Sequence, residues 1–370
     1  MPNRITVFLV ASLCYIQTFS QSSVKAKFTP SAWEVSAKAH EFKTYKGKEA
    51  LYLENGIARL KGSQFKNGII DYDINFEAGR KFLSFHFRIQ DNKNYEEFYL
   101  RPHQSGNPDA TQYTPVFNGV AGWQLYQGEG YANPYHFNFG EWIHVRMIVA
   151  GDRMDIFIND MSQPFIHVHD LKQEEVSGMI GLGTSLGPAW YANLSYQEIA
   201  QPRLISEVKD LPPMEAGILK NWEVSSAFSE KQLEGVSSLD ELTDYTSTNW
   251  KKADQEYTGL VNVSELYALS QEANTVLIKT RIYSDRKQSK KIELAYSDRV
   301  VAFSKGKAIY AGQRNFRSRD YRYLGTIGFF DSIFVELEPG ENEIVFALSD
   351  NMGGWALNAR LVDTKGIRPN

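Results

Sequence analysis

Apolar and polar residues alternate with period two along most of the chain, and no helical period of comparable strength interrupts them. Period two sends successive side chains to opposite faces of a strand, so the pattern predicts half-buried antiparallel sheet. The clearest stretch is 82–103. Leu83, Phe85, Phe87 and Ile89 alternate with Ser84, His86, Arg88 and Gln90, and after a break Tyr95, Glu97, Tyr99, Arg101 and His103 alternate with Glu96, Phe98, Leu100 and Pro102. The break, Asp91-Asn92-Lys93-Asn94, has the composition of a four-residue turn. Symmetric pairing about it sets Arg88 opposite Glu97, His86 opposite Tyr99 and Ser84 opposite Arg101. Opposed side chains lie about 5 Å apart at Cβ, so the outer face would gather imidazole, guanidinium, carboxylate and phenol groups.

The same period marks further strands. Ala50-Leu-Tyr-Leu53 and Ile57-Ala-Arg-Leu60 flank Glu54-Asn55-Gly56, which predicts a hairpin there. Residues 68–76, 123–127, 142–149, 154–159, 165–169, 178–183 and 190–197 read as strands, and 105–122 as a long ordered loop. Residues 199–220 hold Pro202, Pro212 and Pro213 without a period and read as a linker. Beyond it, Trp222-Glu-Val-Ser225 and seven stretches between 273 and 362 return to the strand pattern. The expectation is an all-β chain, two β-sandwich jelly rolls in tandem.

The N-terminus changes the picture of location. Residues 1–20 carry one charge, Arg4, then an apolar run from Ile5 to Ile16, with Thr18 and Ser20 at the small-residue positions of a cleavage site. That predicts a signal peptide removed before Gln21 and an exported protein, periplasmic or extracellular; the run is too short to span a bilayer, which takes about 20 apolar residues. Cys14 is the sole cysteine of the 370 residues, so the exported form has no disulfide and no thiolate ligand or nucleophile. A formal net charge of −4 argues against nucleic acid or an anionic membrane as partner. An aromatic content of 13% suits either large β cores or sugar stacking.

At this point the chain shows two resemblances. Residues 30–198 resemble a concanavalin A-like, laminin-G-type jelly roll, also similar to the 3-keto-disaccharide hydrolase-like domains. The carrying stretches are Asn67-Gly-Ile-Ile-Asp-Tyr-Asp-Ile, Phe85-His-Phe-Arg88, Gly140-Glu-Trp-Ile-His-Val-Arg146, Gly178-Met-Ile-Gly-Leu182 and Trp190-Tyr-Ala-Asn-Leu-Ser195. Residues 221–365 resemble a galactose-binding-like sandwich through Arg299-Val-Val-Ala-Phe-Ser-Lys-Gly-Lys-Ala-Ile-Tyr310 and Leu337-Glu-Pro-Gly-Glu-Asn-Glu-Ile-Val345, with Ser304-Lys305-Gly306 where that family usually has Asn-Gly. The resemblances imply a fold and an association with glycans, not a particular activity.

Candidate chemistry follows from the outer face of the 82–103 hairpin. His86, Arg88, Glu97, Tyr99, Arg101 and His103 would line a ligand site, with Gln112 and Trp123 closing it from the loop. Planar polar groups beside aromatic rings suit sugar hydroxyls and C–H faces. A glycosidase needs two carboxyl groups about 5–9.5 Å apart, and the Glu-x-Asp-x-(x)-Glu run of laminarinase-type jelly rolls is missing. Asp71 and Asp73 imitate it only as part of a polar strand face. His167-x-His169 lacks a third metal ligand, and residues 105–113 could hold Ca²⁺ as laminin-G-type domains often do, but supply Asp109 without a ligand cluster, so no cofactor is expected. Arg314, Phe316, Arg317, Arg319, Tyr321, Arg322 and Tyr323 form a basic-aromatic stretch suited to an acidic glycan or to internal ion pairs. The expected partner is an oligo- or polysaccharide, bound without catalysis. The alternative is a glycan-acting enzyme, a glycoside hydrolase or lyase, with Glu97 and His86 as its candidate catalytic residues.

Overall fold

The computed structural model describes residues 22–242, 248–318 and 324–368. The predicted signal peptide, and Arg319, Tyr321, Arg322 and Tyr323 of the basic-aromatic stretch, lie outside the described residues. The chain is all-β, two sandwich-like units in tandem built from curled antiparallel sheets.

Ten strands shape the first unit: β1 (Trp33–Tyr45), β2 (Lys48–Leu60), β3 (Gly68–Asn75), β4 (Phe82–Ile89), β5 (Tyr95–Leu100), β6 (Thr111–Phe117), β7 (Ile143–Ala150), β8 (Arg153–Ile158), β9 (Ile166–Val168) and β10 (Met179–Glu198). The order is β9-β8-β7-β3-β10-β4-β5-β6, with β2 also on β10 and β1 on β2. The twenty-residue β10 serves both layers. Its first half pairs with β4 and its second with β3, and the pairing with β2 shifts between Thr184 and Pro188. The inward residues of both layers meet in one core, where Tyr72 of β3 stacks on Phe85 of β4 at 4.7 Å.

Several sequence expectations are corrected here. The hairpin turns at Lys46-Gly47, not at Glu54-Asn55-Gly56. Both residues have positive φ, as a two-residue hairpin turn requires, and Asn55 with φ 49° lies inside the continuous strand β2. Residues 105–122 contain β6, a strand despite Pro115, while 123–127 form a turn. The segments 178–183 and 190–197 belong to the single strand β10.

The second unit comprises β11 (Trp222–Val224), β12 (Lys251–Ala253), β13 (Val261–Asn262), β14 (Thr275–Ser284), β15 (Gln288–Tyr296), β16 (Asp298–Ser304), β17 (Lys307–Arg314), β18 (Asp331–Leu337), β19 (Gly340–Ser349) and β20 (Ala356–Leu361). They form two sheets, β12-β11-β14-β19-β16-β17 and β13-β20-β15-β18, closing over a separate core around Trp222, Phe346 and Trp355. Between the units, residues 200–219 hold no strand or helix, and the Ile205 and Ser206 amides donate to Asp155 of β8 at 2.7 and 3.0 Å. The units also touch directly. Leu125 and Tyr126 pack with Leu260 and Ala356, and buried Lys172 reaches Glu256 at 2.5 Å. Among the described residues no helix is long and apolar enough to cross a membrane.

Candidate functional site

Register decides what the outer face of the β1-β2-β10-β4-β5-β6 layer presents. The antiparallel pairings chain into one transverse row: Glu34, Arg59, Gly181, His86, Glu97 and Thr114. The next row is Ser36, Ile57, Gly183, Ser84, Tyr99 and Gln112. His86 therefore faces Glu97, and Ser84 faces Tyr99, a shift of two residues from the symmetric pairing expected.

A bulge accounts for part of this shift, and the turn, closed by Gln90 N donating to Asn94 O at 3.0 Å, for the rest. Met179 pairs with Ile89 but Gly181 pairs with His86, so Phe87 and Arg88 together oppose Ile180. Arg88 adopts φ 50°, a left-handed conformation that non-glycine residues seldom take. The bulge turns Arg88 off the outer face. Its side chain is buried and donates to Lys66 O (2.9 Å), Asn67 Oδ1 (3.0 Å) and Gly151 O (2.6 Å), which ties β4 to two neighbouring loops.

His86 stays on the face but lies down across it. A Cβ at Gly183 would sit 2.9 Å from the imidazole Cε1 and 2.4 Å from Ser84 Oγ, so the flat pose depends on that glycine. Tyr95 covers the ring at 4.5 Å between centroids, and Nε2 lies 2.8 Å from Ser84 Oγ and 3.5 Å from Glu97 Oε1. One nitrogen thus meets both the hydroxyl and the carboxylate. A nucleophilic relay needs the acid on the other nitrogen, so this is not a Ser-His-Glu triad. Arg59, Tyr95 and Glu97 remain partly exposed around it.

The remaining sequence candidates form a different structure. Tyr99 OH donates to Gln112 Oε1 at 2.6 Å, Arg101 donates to Tyr99 OH and to Gln112 Oε1 at 2.8 Å, and Arg101 Nη1 reaches the Asp109 carbonyl at 2.9 Å and carboxylate at 3.0 Å. Gln112 Nε2 then donates to the carbonyls of Trp123 and Tyr126 at 2.8 and 2.5 Å. These buried groups satisfy one another and clamp the 123–126 turn over the sheet. Trp123 meets Phe316 of the second unit edge-on at 5.8 Å and lies 5.7 Å from Arg101 Cζ, so this end of the face is closed. Asp109, the one carboxylate that residues 105–113 offered to a Ca²⁺ ion, is committed to Arg101. His103 leaves the face altogether: Pro102 opens a 3-10 turn after β5, and the imidazole packs against Phe82 at 5.2 Å. Burial, with Arg80 and Arg101 nearby, lowers its pKa.

The other polar clusters of this unit that the sequence singled out are also paired. On the opposite outer face His144 bridges Asp73 (2.7 Å) and Asp71 (3.1 Å), and Arg146 and Lys48 complete the group. His167 Nδ1 bonds Asp155 at 2.6 Å with His169 edge-on at 4.6 Å. Among the described residues no three His, Cys, Asp or Glu side chains converge as metal ligands. In the second unit Arg314 is buried and donates to Asp331 at 2.8 Å.

Sequence reasoning missed Arg59, Gly181 and Gly183 as parts of the face, and placed Tyr95 on it without a role. The Gly-x-Gly spacing within a strand was the available signal, since glycine at alternate positions frees one face for a neighbour's side chain.

No family model matches the chain, and no curated protein matches it. Several solved structures are similar to it over about half its length. A carbohydrate binding module from Bacillus subtilis is 17% identical over 44% of this chain and 93% of that one, with a TM-score of 0.35. A Bacillus licheniformis beta-glucanase is 10% identical over 50% of this chain and 100% of its own, with a TM-score of 0.35. A Bacillus subtilis protein described as having a galectin-like fold is 9% identical over 48% and 97%, with a TM-score of 0.38.

Proposed function

We propose that the row around Glu97 recognises a glycan, an oligo- or polysaccharide, on the exported protein. The carrying observation is the row itself, which sets His86 and Glu97 on adjacent strands beside the Tyr95 ring and Arg59 in line with them beyond Gly181 of β10. Guanidinium and carboxylate groups on a rigid sheet bind sugar hydroxyls through charge-assisted hydrogen bonds, and a phenol ring beside them takes a C–H face. Binding is the first reading because the row's other carboxylate, Glu34, is four strands from Glu97, or about 19 Å at 4.8 Å per strand. Glycosidic cleavage by a carboxylate pair needs less than about 9.5 Å. A second reading rests on His86 Nε2 standing between Ser84 and Glu97: a buried imidazole beside a half-exposed carboxylate is equipped for proton transfer on a glycan.

A glycan panel with product analysis separates the two. Glu97→Gln and Arg59→Ala should each weaken binding roughly 10–100-fold, the loss of a hydrogen bond to a charged group, while leaving melting unchanged. Tyr99→Phe should lower stability and leave affinity alone, because Tyr99 serves the clamp. Unchanged affinity in both the Glu97 and Arg59 variants would remove the site from this face. Product formation abolished by Glu97→Gln would establish the second reading.

A further inference from the structure

At one end of the second unit's larger sheet the registers bring three polar side chains into a row. Ser349 of β19 pairs with Thr275 on one side and Arg299 on the other, so one step further Asp350 stands between Asn274 and Asp298. Backbone bonds hold the row together: Asp350 N donates to Asn274 O at 3.0 Å, and Asn351 N donates to Asp298 Oδ2 at 2.9 Å.

Asp350 is fully buried, and Asp298 is 3% exposed. Both carboxylate oxygens of Asp350 and Oδ1 of Asp298 have no hydrogen-bond partner. The Ser297 hydroxyl and Met352 amide are near enough to ease the charge on Asp350 without completing a bond of good geometry. Burial and the charge of Asp298 push the Asp350 carboxyl well above its usual range, and burial pushes Asp298 up to about 6. Arg299 does not resolve this. It spends Nε and Nη2 on Glu230 and reaches Asn351 Oδ1 at 3.2 Å, staying 3.8 Å from Asp298. Three carboxylates therefore face one guanidinium, an excess of two negative charges when all are ionised. A buried carboxylate without a partner is costly, and a native fold seldom keeps two.

A cavity of about 800 Å³ opens beside the row; Glu230, Asn274, Asp350 and Asn351 line it, and its further charged groups are Lys231, Glu234 and Glu272, so the lining remains net acidic. No imidazole or thiolate is among its described lining residues. We propose that Asp298 and Asp350 bind a divalent cation, Ca²⁺ by the oxygen-only donor set, at this end of β14, β16 and β19. Two carboxylates are fewer than a full shell; amide and backbone oxygens and cavity water supply the remaining positions in sites of this kind. The cation would supply the two positive charges the row lacks.

The test uses the full chain freed of metal with EDTA, with calorimetric titration of Ca²⁺, Mg²⁺ as the comparison, and melting curves. One equivalent of Ca²⁺ should bind, and a hundredfold excess over Kd should raise Tm by roughly 5–10 °C. Asp350→Asn and Asp298→Asn should each weaken Ca²⁺ binding at least tenfold; if one variant fails to fold, the other decides. Wild-type protein indifferent to Ca²⁺, with Asp350→Asn melting higher, would overturn the proposal and assign the pair a shared proton. Ca²⁺ binding retained in a folded variant would also overturn it, by placing the cation elsewhere.

Discussion

Replacing Arg88 tests the reassignment of the hairpin face most directly. In the sequence it looks like a ligand contact; in the fold it is an internal strut. Its guanidinium supplies three donors to the Lys66 and Gly151 carbonyls and the Asn67 side chain, and the Glu96 carboxylate, itself fully buried, is the nearest anion acting on it. Arg88→Ala strands those carbonyls and removes a cation that opposes the burial-raised pKa of Glu96. Asn67 Oδ1 keeps the Gly151 amide, so the loss is partial there. Breaking one side of a buried charged network costs about 3–5 kcal/mol, which corresponds to a Tm drop of roughly 10 °C for a unit of this size. Arg88→Lys retains the charge but not the fork and should fall between the two. Urea unfolding of the full chain, read beside glycan affinity of the still-folded fraction, measures both quantities. A stability loss under about 1 kcal/mol accompanied by a tenfold loss of affinity would refute the strut and restore Arg88 to the site.

Two further outcomes follow from charged groups outside the site. Bonds to Asp71 and Asp73 raise the His144 pKa to about 9, so its contribution is complete below about 6.5 and is lost as pH rises through 9. With 37% of that side chain exposed, screening leaves about 1–2 kcal/mol, and His144→Ala should flatten the stability profile between pH 6.5 and 9. Lys172, buried against Asp170 and Glu256, joins the two units; burial lowers its pKa but Glu256, Tyr131 and Asp170 raise it overall. Lys172→Ala should separate a shared melting transition into two, as seen by calorimetry, and a single unchanged transition would show that the contact does not couple them.

The sequence alone was enough for fold class, because period-two alternation is a local property and each strand writes it independently. Leu83, Phe85 and Phe87 were legible as core, and Ser84, His86, Glu97 and Tyr99 as the opposite face. The strands of the second unit were legible within a few residues for the same reason. Turn chemistry was less secure: Asn55-Gly56 looked like a hairpin turn, yet both residues lie within β2, where a Cβ added to Gly56 would fall 2.2 Å from the Ser36 carbonyl oxygen.

What only the tertiary structure decided was which outward residues remain available. Alternation specifies a face but not its partners: the turn and a bulge at Arg88 together shifted the register, and the bulge removed a guanidinium from the site. Arg59 and Gly183 joined the face through strands 30 to 100 residues away, a pairing no local pattern encodes. Tyr99, Arg101 and Gln112 point outward from their strands, as the alternation required, but the 123–126 turn and the second unit cover them. The unpartnered carboxylates of Asp298 and Asp350 are equally silent in sequence. Each ends or begins a strand as an ordinary polar residue, and only the meeting of β14, β16 and β19 buries them together.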